Sequence, residues 1–90
     1  MNINFDHIRE IYGEDALKVC FDNIEYLAQN INYLIQLGFD NYEEIVERYP
    51  LAFVEEAEIV KQRLDKLIIR LGPNYLEILN EDMGLFEELL

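Results

Sequence analysis

The side chains able to do chemistry in this chain are few in kind: 19 carboxylates, 7 Lys or Arg, one histidine, one cysteine, and no serine or threonine. Hydroxyl nucleophiles other than tyrosine are therefore excluded. His7 has no second His or Cys beside it and is expected at the solvated surface rather than as a general base or metal ligand. Cys20 has no partner for an internal disulfide and falls within an apolar stripe, so a reduced, buried thiol is expected. The run Asn80-Glu81-Asp82-Met83-Gly84 lacks the acidic spacing and closing glutamate of a calcium loop, and no glycine-rich phosphate loop is present. These residues predict no catalytic centre, no metal and no cofactor; the chain is expected not to be an enzyme.

What so many carboxylates can do is attract positive charge. The formal net charge is −12, and it is unevenly spread. Glu43, Glu44, Glu47, Glu55, Glu56 and Glu58 crowd the middle of the chain, and the residues after Asn74 carry acids without a single Lys or Arg. A field of this sign repels phosphate and favours a basic partner, so direct nucleic-acid binding is not expected. The reading this suggests is a protein-interaction module that docks a basic protein through these acids. Its sharper form is an inhibitor of a DNA- or RNA-binding protein that imitates phosphate charge, as small acidic phage and mobile-element proteins can. The bland reading is that the charge only keeps a small apolar-rich domain soluble.

One segment runs against the trend. Arg63, Lys66 and Arg70 fall at helical spacing on one stripe, with no acidic residue three or four positions away to neutralise them. They are the alternative, anion-binding site unless carboxylates of other helices reach them.

The elements that must position these groups are helices. Apolar residues recur at 3.6-residue spacing, 51% of the chain is hydrophobic, and no stretch alternates as a strand would. A first helix is predicted from Asn2, Asn4 or Asp6 to Tyr12, and a second from Glu14-Asp15 to Leu37 without interruption. A third, Asn41 to Tyr49, is capped by Asp40 and stopped by Pro50. A fourth runs from Leu51 or Ala52 to Leu71, and a fifth follows the cap Asn74. The final turns from Met83 end on Leu85, Phe86, Leu89 and Leu90, an apolar terminus that must fold back or be covered by a second copy. A structural homodimer is the third functional reading.

Leu37-Gly38 reappears as Leu71-Gly72, and Asp40-x-x-Glu43 as Asn74-x-x-Glu77, both 34 positions later. A worn first copy starts near Asp6. The expected fold is all-α, a small bundle or short α-solenoid of five to six helices in one domain over residues 1–90. The order of helix, Leu-Gly, short helix, Pro, longer helix, Leu-Gly resembles the repeat of the mitochondrial transcription termination factor family. Leu34, Leu37, Gly38, Phe39, Ile45, Pro50, Leu51, Leu64, Leu67, Leu71 and Gly72 carry the likeness, across roughly residues 31–86. The resemblance implies stacked three-helix units and, as an alternative function, a nucleic-acid-associated regulator using the basic stripe. Gly84 stands where the next proline of that pattern would fall. With no basic leader and no apolar run of membrane length, the chain is expected in the cytoplasm.

Overall fold

The computed structural model describes residues 2–90. Six α-helices and two 3₁₀ segments make up its regular structure, with no strand among the described residues. The helices are α1 (Phe5–Tyr12), α2 (Glu14–Asp22), α3 (Ile24–Gln36), α4 (Tyr42–Arg48), α5 (Ala57–Leu71) and α6 (Tyr75–Glu81). A 3₁₀ turn, Pro50–Ala52, follows α4, and a longer one, Met83–Leu89, follows α6. The radius of gyration, 12.5 Å, matches the roughly 12 Å expected of a compact globule this long. A small helical bundle therefore describes the fold.

The uninterrupted helix expected from Glu14 to Leu37 is two helices. Asn23 breaks it at φ −121°, ψ 32°. Its side-chain amide donates to the Val19 carbonyl at 2.9 Å, where its own backbone N–H also donates at 3.1 Å. An asparagine that satisfies the preceding turn in this way competes with helix continuation. The helix restarts at once, with the Leu27 N–H donating to the Asn23 carbonyl. Leu27, Ile31 and Leu34 then line the buried face of α3, while Phe21 and Ile35 are exposed.

Three helix starts also differ from expectation. Asp40 lies outside α4, and the cap residues Asn41 and Asn74 make no side-chain capping bond. The capping boxes do not form, and Asn41 instead donates from its amide to the Asn80 Oδ1 at 3.2 Å. The helix expected from Leu51 or Ala52 begins only at Ala57, because the chain first makes the 3₁₀ turn and buries Phe53 and Val54. The stops are where the glycines and the proline put them. Gly13, Gly38 and Gly72 all have positive φ, and Pro50 opens the 3₁₀ turn at the end of α4.

The order of long helix, short helix and 3₁₀ segment occurs twice, as α3–α4–Pro50 and α5–α6–Met83. Gly38 and Gly72 keep the 34-residue spacing, but α4 and α6 are offset by one residue less, because the first turn is a residue longer. The shorter offset aligns Val46 with Leu79 and Phe53 with Phe86, four residues that are all 0% exposed. Near Asp6 the pattern differs, since α1 passes straight into α2 with no 3₁₀ turn.

One continuous core joins these elements, from Ile3 and Ile8 through Leu27, Leu34, Ile45, Phe53 and Leu64 to Leu79, Phe86 and Leu89. Successive positions along α3 meet successive positions of the second half of the chain: Asn30 bonds Phe53 and Glu55, Tyr33 bonds Asp65, and the Leu37 carbonyl accepts from Tyr75. Helices α3 and α5 pack against each other, with Tyr33 and Asp65 at their contact.

Tyr33 marks this contact chemically. Its hydroxyl donates to Asp65 Oδ1 at 2.5 Å, and Lys61 Nζ lies 5.5 Å from its ring centre. Desolvation first, then the bond to Asp65, push its pKa up to about 12. An unfolded tyrosine ionises near 10, so Tyr33 contributes full stability below that pH and loses it as the pH rises through 12. Ultraviolet difference titration should show a tyrosine ionising near pH 12, and Tyr33→Phe should remove that step.

Candidate interaction surface

The six central glutamates do not form one free face. Glu47 points inward to α1, where Oε1 bonds His7 Nδ1 at 3.2 Å and Oε2 accepts the Asn4 N–H at 3.3 Å. Together with the Asn4 side chain, which accepts the His7 N–H at 3.1 Å, it fastens the start of α1 to α4. Glu55 is ion-paired with Arg63. Glu43, Glu44, Glu56 and Glu58, by contrast, are in no ion pair among the described residues. The two free groups are well separated. Glu55 is held at the level of Asn30 and the turn before α4 at the level of Leu37, which is about 10 Å further along α3.

The basic stripe is largely occupied. Arg63 pairs with Glu55 and donates to the Leu89 carbonyl at 3.1 Å. Arg70 forms a two-pronged pair with Glu88, which holds that carboxyl below the usual carboxylate range. Of the three cations expected to take an anion, Lys66 alone is in no ion pair among the described residues. A groove of about 380 Å³ runs past them, lined also by Leu67 and Leu89. An incoming anion would have to compete with Glu88 for Arg70.

The apolar terminus folds back on its own domain. Phe86 is 0% and Leu89 1% exposed, Leu85 is half-buried, and only Leu90 remains largely open. Phe86 packs edge-on against Phe39, with ring centres 5.8 Å apart. The residues proposed for self-association therefore contribute mainly to the core, because Met83–Leu89 closes over α5 and α6.

A concavity of about 390 Å³ was not legible in the sequence. It lies between the turn Gly38–Asn41 and α6, and Phe39, Asp40, Leu76, Glu77 and Asn80 line it. Asp40 and Glu77 read locally as cap residues and Asn80 as part of a failed calcium loop. Nothing in their spacing announces that they converge. Gly38 allows the convergence: a Cβ there would stand 3.1 Å from Leu76 Cδ1, and its φ of +100° suits glycine.

No three His, Cys, Asp or Glu side chains converge to hold a metal ion among the described residues. Cys20 is buried, and desolvation raises its pKa, which keeps it a protonated, unreactive thiol. No helix among the described residues is long and apolar enough to cross a membrane. Fold and surface together define the class: a small all-α domain whose bases are mostly paired and whose acids are mostly free. No family model, curated protein or solved structure matches the chain.

Proposed function

We propose that this chain is a non-enzymatic interaction module, working in the cytoplasm, that presents carboxylates to a basic protein. The observation that carries this reading is the unequal pairing of charge. Arg9, Lys18, Arg63 and Arg70 are each ion-paired internally. Asp40, Glu43, Glu44, Glu56, Glu58 and Glu77 are not paired with any Lys or Arg among the described residues. Four of the seven Lys and Arg side chains are thus held internally, while these carboxylates are left for solvent or a partner. Charge of one sign held on a rigid surface speeds encounter with the opposite sign and rejects like-charged competitors. The sharper version is that the partner is a nucleic-acid-binding protein whose groove this surface fills.

The free glutamates make the test clean, because neutralising them breaks no internal bond. The variant Glu43→Gln/Glu44→Gln/Glu56→Gln/Glu58→Gln should keep its helical content and melting temperature. Its affinity for an arginine- and lysine-rich peptide should fall by about tenfold or more at low salt, since exposed pairs contribute roughly 0.2–1 kcal/mol each. For the native chain, affinity should fall as salt rises. Affinity indifferent both to salt and to the four substitutions would leave the charge with a solubilising role only.

A further inference from the structure

The cleft between the Gly38–Asn41 turn and α6 combines an apolar floor and wall with an acidic rim. Phe39, 4% exposed, forms the floor, and the rings of Tyr75 and Phe86 hold it edge-on at 6.0 and 5.8 Å. Leu76 forms one wall, brought close by the missing Cβ of Gly38. The Tyr75 hydroxyl donates to the Leu37 carbonyl at 2.8 Å, and the Asn41 amide to Asn80 at 3.2 Å. These bonds tie the two sides together, so the concavity exists before anything enters it. A preformed site spares an incoming group part of the ordering cost.

The charged groups on the rim, Asp40 and Glu77, are acceptors and are in no ion pair among the described residues. The hydrogen bond between Asn41 and Asn80 uses the Asn41 amide nitrogen, leaving the Asn41 side-chain oxygen as a further acceptor. Two carboxylates and an amide oxygen above an apolar floor match one side chain better than any other. Arginine offers five donors in a planar fork on an apolar stem, whereas lysine offers a compact, strongly hydrated charge.

We propose that this cleft is the anchor at which the basic protein partner inserts an arginine side chain, its guanidinium between Asp40 and Glu77 and its stem along Leu76. This rests on the preceding reading, that the chain docks a basic protein, and adds where the central contact is made. The free glutamates of α4 lie beside this anchor, since Glu43 and Glu44 begin the helix that Asp40 and Asn41 lead into.

The test is a titration of the isotopically labelled chain at low salt with an arginine-rich peptide and with the same peptide carrying citrulline, which keeps the shape and loses the charge. The arginine peptide should shift the backbone resonances of Gly38, Asp40 and Asn41 and the side-chain amide of Asn80, and the citrulline peptide should leave them in place. The variant Asp40→Asn/Glu77→Gln, which removes no internal ion pair, should weaken binding about tenfold with its dispersed native spectrum retained. Unchanged affinity in that variant, alongside loss in the Glu43/Glu44/Glu56/Glu58 variant, would overturn the anchor and leave the module reading standing. No binding of either peptide at low salt would overturn both.

Discussion

Replacing Phe86 by alanine is expected to cost about 3–5 kcal/mol, the usual range for truncating a fully buried phenylalanine. Phe86 is 0% exposed and packs on Phe39 in the continuous core. A chain of ninety residues has roughly 5–13 kcal/mol of total stability at ordinary values per residue. The substitution therefore removes a large share of it. Urea unfolding should show a lower midpoint with little change of slope. The same experiment bears on the dimer reading. If Phe86 acted chiefly in self-association, its loss would lower sedimentation mass at high concentration and spare the stability of the dilute monomer. Burial inside one chain predicts the reverse. The variant should also loosen the floor of the cleft, because Phe39 loses its edge-on neighbour.

The second large effect is expected at Asn30, the one buried polar residue among the described residues, 1% exposed. Its amide donates to the Phe53 carbonyl at 2.7 Å and the Glu55 carbonyl at 3.0 Å. These carbonyls belong to the irregular link after the 3₁₀ turn, where no helix supplies donors. Asn30→Leu keeps the branching and the number of side-chain heavy atoms and removes both donors. Each buried group left without a partner costs about 1–3 kcal/mol, so a loss of about 2–4 kcal/mol is expected, the Glu55 site being only partly buried. Denaturant unfolding measures the total. Hydrogen exchange should place it, with protection lost first at the start of α5, while α6 and the cleft stay protected. A uniform loss across the chain would mean that Asn30 supports the whole core rather than this link.

These residues mark how far local pattern reaches. Gly38, Gly72 and Pro50 end their helices as their backbone chemistry demands, since glycine accepts positive φ and proline lacks an amide donor. The apolar stripes of α3 and α5 were readable from spacing, and so was the all-helical class. The break at Asn23 was not. Asparagine is an ordinary helix resident until its side chain finds the Val19 carbonyl, and the pattern on either side continues as if nothing intervened. The delayed start of α5 was hidden for a related reason. Phe53 and Val54 suit a helix by type, yet they leave it to fill the core, and Asn30 supplies the donors their backbone then needs.

Composition and order along the chain were sufficient for the fold class, the helix stops at glycine and proline and the surplus of negative charge, because each depends on residues close in sequence or on a simple count. Which charges are free was decided only by tertiary structure. Glu47 and Glu55 are no different by type from Glu43 and Glu56, and Arg63 and Arg70 look unpartnered on their own helix. Their pairs, His7 with Glu47, Arg63 with Glu55 and Arg70 with Glu88, join different elements. The cleft arises in the same way. Asp40 and Glu77 line one cleft because α6 packs against the turn that precedes α4, and a contact between distant segments has no local signature.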